Sequence, residues 1–142
     1  MLQLLPGIKS ATAALSAERL RLDVVGQNIA NAQTTHGIDG KPYRRQVVSF
    51  ESFMDRSDVA PGGQGVPSVR VSKVEPDTRP ARSVYIPGHP DADAQGMVKM
   101  PDISIHEEMA DMIAASRAYE ANLAVVKTAR TLALQSLSIG KH

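Results

Sequence analysis

Three short stretches and two basic pairs carry residue types that can do chemistry. "GHPDAD" brings His89, Asp91 and Asp93 together, and imidazole with carboxylate suits a divalent ion. The spacing matches no calcium loop and no second histidine stands nearby, so a proline-fixed polar turn is the simpler reading. "HEEM" (His106–Met109) begins like the zinc motif H-E-x-x-H, but Ala110 occupies the second ligand position. Glu107 and Glu108 are better explained as a carboxylate pair at a helix start, where the dipole favours them. "PGGQG" (Pro61–Gly65) has the glycine of a phosphate cradle without its G-K-[ST] ending, and reads as a flexible loop. Arg44, Arg45, Arg79 and Arg82 read as solvated strand edges that discourage edge-to-edge pairing. No serine or histidine sits in a nucleophile motif. The expectation is a protein that is not an enzyme, with no cofactor and no bound metal.

Composition bounds the architecture. The 142 residues suit one ordinary domain, 42% hydrophobic but only 4% aromatic. Ala, Val, Leu, Ile and Met must therefore supply the buried surface, which suits long, thin helical packing. The six methionines read as filler between helices more than as a binding groove. A net charge of +1 gives no reason to expect nucleic acid or anionic lipid as a partner. The absence of cysteine excludes disulfides and thiolate chemistry while leaving the compartment open. There is no N-x-[ST] glycosylation acceptor. The apolar start "MLQLLPGIKSATAAL" lacks a basic lead and is broken by Pro6-Gly7, so it makes a poor Sec signal. No run approaches the ~18 apolar residues that would span a bilayer, and no membrane insertion is expected.

Periodicity supplies the elements. From about Ile8 to Ala32, Ile8, Leu15, Leu22 and Ile29 recur at steps of seven. Ala11, Val25 and Ala32 fill a second row in which Glu18 is the exception. The helix would be roughly 40 Å long. A second helix, roughly 50 Å long, runs from about Ile105 to Leu137. It carries the rows Met109, Ser116, Leu123, Arg130, Leu137 and Ile105, Met112, Tyr119, Val126, Ala133. Ser104 is its expected N-cap and Gly140 its stop.

Between the helices, glycine and proline punctuate four short β-prone runs, "YRRQVVSF", "VRVSKV", "SVYI" and "MVKM". Val69 and Val71 alternate and Val74 breaks the phase, which predicts a bulge near Ser72-Lys73. The loop Asp55–Gln64 is expected to be mobile. The predicted class is α+β. Long terminal helices form a coiled-coil-like bundle around a small β-rich insert, with boundaries at 1–33, 34–104 and 105–142. One helix pair buries little, so each stripe is expected to find further cover in other chains.

The stretch "VVGQNIANAQTTHG" (24–37) puts a glycine and two asparagines on this first helix, at a cost to helix stability. Buried between subunits, Asn28 and Asn31 would demand hydrogen-bond partners and so fix register, with Gly26 allowing a close approach. For Asn31, simple termination of the helix is an equal alternative.

"LSAERLRLDVVGQNIANAQTTHG" (Leu15–Gly37) resembles the N-terminal signature of bacterial flagellar basal-body rod and hook-axis proteins. "EEMADMIAASRAYEANLAVVKTARTLALQSLSIG" (Glu107–Gly140) resembles the matching C-terminal segment. "PYRRQVVSFE" (Pro42–Glu51) and "VYIPGHPDADAQGMVKMPDISIHEEM" (Val84–Met109) are similar to the proximal-rod members of that family. The departures at Gly26, Gln27, Met97 and Asp102 leave every seam position in place. The resemblance implies a structural subunit whose terminal helices pack with those of its neighbours into a tubular wall. The insert would lie outside, and the whole would transmit motor torque across the periplasm to the hook. It implies as partners other copies of the chain, rod proteins of the FlgB, FlgF and FlgG types and an adaptor of the FliE type. It further implies passage through the flagellar type III export apparatus without a cleaved signal. The residues expected at subunit interfaces are Ile8, Leu15, Leu22, Val25, Asn28, Ile29 and Asn31 on the first helix. On the second they are Met109, Met112, Tyr119, Asn122, Leu123, Val126 and Leu137. Both ends are expected to be largely disordered in the monomer and to fold on docking. The rival reading is a non-enzymatic soluble adaptor, a helical hairpin presenting a β-rich binding domain.

Overall fold

Helix α1 (Leu4–Ala30) opens the chain and helix α2 (Ile105–Ile139) closes it. Four strands lie between: β1 (Gln46–Asp55), β2 (Val66–Pro76), β3 (Arg82–Tyr85) and β4 (Met97–Met100). This architecture is a computed structural model that describes residues 4–55 and 65–139. The expected class holds: α+β, with a small β region between two terminal helices. Pro61–Gln64 of the glycine-rich stretch, most of the loop expected to be mobile, and Gly140 lie outside the described residues.

The helices run antiparallel, since Asn28 of α1 meets Glu108 of α2 and Arg21 meets Asp111. Their contact is made of small side chains. Ala11, Ala17, Val24, Val25 and Ala32 are the buried apolar residues of the first segment, and Ala115 is fully buried on α2. Small residues let two helix backbones approach closely where bulky ones would hold them apart. The row Ile8, Leu15, Leu22, Ile29, expected to lead the seam, is only half-buried along its flank. Ala11, Val25 and Ala32, expected to be the thin row, lie deepest. The phase moves because the β1–β2 ribbon also rests on α1, tied by Ser10 Oγ donating to the Pro67 carbonyl at 2.8 Å. The buried face is therefore set by two neighbours instead of one.

β1 and β2 form an antiparallel ribbon in which Ser49 pairs with Lys73 and Phe50 with Val71. Ser72 is skipped, which is the bulge the valine phase predicted. β3 and β4 form a second, separate hairpin. Gly96, at φ 76°, turns its connection, where the Gly96 carbonyl accepts from Ile86 N at 2.9 Å. Ser104 caps α2: its Oγ accepts from Glu107 N at 3.4 Å and its carbonyl from Glu108 N at 3.0 Å. Pro101 and Ile103 are buried just ahead of it and anchor the entry.

Candidate assembly interface

A polar junction, not an apolar one, locks the helices to the insert. Asn28 is 1% exposed and Glu108 0%, and they are among the largest fully buried side chains described. The Asn28 amide nitrogen donates to the Gln46 carbonyl at 2.9 Å and to Glu108 Oε2 at 3.0 Å. Its oxygen accepts from Gln46 N at 2.8 Å and from Tyr43 Oη at 3.0 Å. Two donors and two acceptor lone pairs are thus all used within one chain. Glu108 Oε1 accepts from Arg45 Nε at 2.6 Å, and Arg45 reaches on to Asp77 at 3.4 Å. Asp77 also accepts from Arg79 Nε at 2.9 Å, and Arg79 lies 3.7 Å from Asp102. Charges alternate along this chain, so the buried Glu108 carboxylate keeps a counter-ion.

The electrostatics follow from the contacts. Burial, and then the Glu108 charge, raise the Tyr43 phenol above its ordinary value, which keeps its proton on the oxygen that donates to Asn28. The hydrogen bond from Arg79 N, followed by that from the Arg79 guanidinium, lowers Asp77. Arg70 lowers Glu51 on the ribbon by hydrogen bond and charge.

The structure thereby corrects the reading of the basic pairs: Arg45 and Arg79 are ion-pair partners at this junction, while Arg44 and Arg82 are exposed. Asn28 sits inside the chain with no hydrogen-bonding capacity left to offer a neighbour. Asn31 Nδ2 donates to the Gln27 carbonyl at 2.9 Å, and the Asn31 side-chain oxygen accepts from Thr34 Oγ1 at 3.2 Å. Those bonds end the helix locally. A Cβ on Gly26 would meet nothing within 4 Å, so no close approach within the chain requires that glycine.

The other expected interface positions divide by depth. Val25 is buried; Ile8, Leu15, Leu22, Ile29, Met112, Tyr119, Asn122, Leu123 and Val126 are half-buried; Met109 and Leu137 stand in solvent. On α2 the deepest row is Glu108, Ala115, Asn122, Ala129, one position away from the Met109 row. No apolar signal marks it, which is why periodicity passes it over. Exposed large apolar side chains are spread along the same helix: Ile105, Met109, Ile113, Val125, Leu132, Leu134 and Leu137.

The metal-like stretch resolves into turn chemistry. Asp93 Oδ1 accepts from Gln95 N at 2.8 Å and Met97 N at 2.9 Å. Asp91 accepts from Thr35 Oγ1 at 2.7 Å. Among the described residues, no group of three His, Cys, Asp or Glu is arranged to hold a metal ion. No helix described is long and apolar enough to cross a membrane.

Comparison with known proteins places both ends. Residues 8–37 match the family described as "Flagella basal body rod protein", and residues 94–139 match "Flagellar basal body rod FlgEFG protein C-terminal". A protein of Yersinia enterocolitica named flagellar basal-body rod protein FlgC is 42% identical over 92% of this chain and 93% of its own. Its namesake in Borreliella burgdorferi is 39% identical, covering 96% of this chain and 97% of that one. Another in Bacillus subtilis is 37% identical over 92% and 94%.

Proposed function

This chain belongs to the FlgC family of flagellar basal-body rod proteins, and from that premise we propose how it builds the rod. The protein is a structural subunit of the basal-body rod and associates with other rod components. The relatives decide for the rod over a soluble adaptor. The finer reading is that it forms the proximal rod, with residues 1–33 and 105–142 in the tube wall and 34–104 facing outward. The wall then carries torque from the motor toward the hook. Its neighbours are further copies, rod proteins of the FlgB, FlgF and FlgG types and a FliE-type adaptor. The chain reaches the site through the flagellar type III apparatus.

The observation that carries this reading is the uncovered apolar surface of α2. Seven large apolar side chains stand exposed along it. Covering the exposed half of each would stabilise an assembly by roughly 1 kcal/mol. The positions that support the interface are thus Met109 and Leu137, with the half-buried flanks Leu15, Leu22, Tyr119 and Leu123 at the edges of the seam. The buried residues Val25 and Asn28 act beneath it by holding the helix pair in shape.

The test is complementation of a flagellated strain deleted for its own FlgC-type protein. The wild-type chain is expected to restore rods and swimming. A variant carrying Leu132→Asp and Leu137→Asp is expected to be exported and to leave cells without rods. Restored swimming by that variant would remove α2 from the wall.

A further inference from the structure

The Asn28 side chain stands where a strand would. Its carboxamide donates to the Gln46 carbonyl at 2.9 Å and accepts from Gln46 N at 2.8 Å, the two bonds that a neighbouring strand makes to one residue. They also fix which way β1 faces. The Arg45 carbonyl accepts from Asp77 N at 2.7 Å on the β2 side, so Gln46 turns its backbone groups the other way. Alternation then sends Val47 and Ser49 toward β2, opposite Glu75 and Lys73, and Val48 and Phe50 to the free side with Gln46. The bulge leaves that order intact, because its extra residue, Ser72, lies on β2. One rung of a missing strand is thus filled by Asn28, and the next two are open among the described residues.

The free side of β1 opens on a cleft of about 280 Å³. Helix α1 supplies Val24 and Val25 to it, β1 supplies Val48 and Phe50, and α2 supplies Glu108 and Asp111. Among the described residues, β1 and α2 make no backbone contact across it. The charges in the cleft are matched already: Arg21 Nε donates to Asp111 Oδ2 at 3.4 Å and Arg45 Nε to Glu108 Oε1 at 2.6 Å. A charged occupant would have to break one of these pairs, so the cleft suits an uncharged one. The two edges of the ribbon also differ. β2 carries Pro67, Lys73, Pro76 and the bulge, all of which keep further strands off an edge. β1 has no proline, no lysine and no bulged residue.

We propose that an extended, uncharged segment of a different rod protein adds to β1 as a third strand in this cleft. Its main chain takes up the backbone groups of Val48 and Phe50, continuing the rung that Asn28 fills, and main-chain pairing gives the contact its affinity. The described strands of this chain do not suit the place. β2, β3 and β4 would bring Arg70, Arg82 and Lys99 to a cleft whose charges are already paired. β1 against β1 of a second copy would close a two-fold pair and stop growth. The partner's identity rests on the rod reading.

Amide hydrogen exchange at single-residue resolution reads the contact directly. In the purified chain, Val48 and Phe50 are expected to exchange roughly tenfold faster than Val47 and Ser49. In rods isolated from cells complemented by this chain, Val48 and Phe50 are expected to slow by about 100-fold. A photoreactive p-benzoylphenylalanine in place of Phe50 is expected to join an uncharged, non-helical stretch of one other rod protein. Val48→Pro removes an edge N–H and spares the ladder to β2, so it is expected to keep the unfolding midpoint and abolish rods. Freely exchanging Val48 and Phe50 in well-formed rods, or rods and swimming restored by Val48→Pro, overturn the proposal and leave the rod reading standing. Slow exchange of Val48 in the purified chain overturns it too. At every concentration it means that the chain fills its own cleft, and only at high concentration that a second copy does. If Val48→Pro unfolds, exchange and cross-linking in wild-type rods decide the contact. Failure of the wild-type chain to build rods defeats the rod reading, and the proposed partner with it.

Discussion

Asn28 Nδ2 donates to Glu108 Oε2 at 3.0 Å across 80 positions of sequence, joining the end of α1 to the first turn of α2. The same amide holds both backbone groups of Gln46, where β1 begins. Three elements therefore converge on one side chain, and displacing any of them leaves buried polar groups without partners. Each such orphan costs about 1–3 kcal/mol. Asn28→Leu is accordingly expected to destabilise the protein by about 3 kcal/mol, read from the urea midpoint. Asn31→Leu, which loses a local helix-end contact, should cost under about 1 kcal/mol. Equal effects would refute an internal role for Asn28.

Arg45 compensates a carboxylate that is fully buried. Arg45→Met alone should cost about 3–5 kcal/mol, because Glu108 is left charged without a counter-ion. Adding Glu108→Leu to it should recover a large part of that loss. A double-mutant cycle in which the two losses simply add would show that the pair is not coupled.

Acid should loosen the insert first. Glu51 and Asp77 have lowered folded values, so their contribution is present above the ordinary values of 4.5 and 3.8. It is lost as pH falls through the depressed ones. Tyr43 has the opposite sign: its value is raised, so its contribution is complete below the ordinary 10.0 and lost as pH rises through the folded value. Urea midpoints from pH 7 down to about 3 should fall, and Asp77→Asn should flatten that fall. On the alkaline side, tyrosinate absorbance should show the Tyr43 phenol ionising above its ordinary value, and Tyr43→Phe should remove that component.

Two glycines should respond in opposite directions. A Cβ on Gly96 would sit 2.8 Å from Tyr85 Cε2 and 3.1 Å from Pro87 Cβ, at φ 76°. Gly96→Ala should therefore destabilise by more than about 1 kcal/mol. Gly26 lies inside α1 with open space where a Cβ would go. Gly26→Ala should stabilise by about 0.5–1 kcal/mol, and thermal unfolding of both variants checks the pair. If Gly26 serves approach between subunits, the stabilised variant will still fail to build rods.

Much of this was readable without coordinates. Seven-residue steps locate both helices, because an apolar side chain every turn or so is what a helix needs to lie against anything. The Val69–Val74 phase break locates the bulge, since a pleat tolerates no odd spacing without one. Ser104 and the two glutamates mark the start of α2. Terminal patterns also carried the family, and the relatives agree. The face each helix turns inward was not readable. The deepest positions of α2 are Glu108 and Ala115, a carboxylate and the smallest apolar side chain, which no search for large apolar residues would place in a seam. They go inside because α1 offers small side chains and Asn28, and because Arg45 arrives from the insert to neutralise Glu108. A pattern along one strand of sequence reports what a helix could bury. Which face it does bury depends on partners tens of residues away, and those partners are set only when the chain has closed on itself.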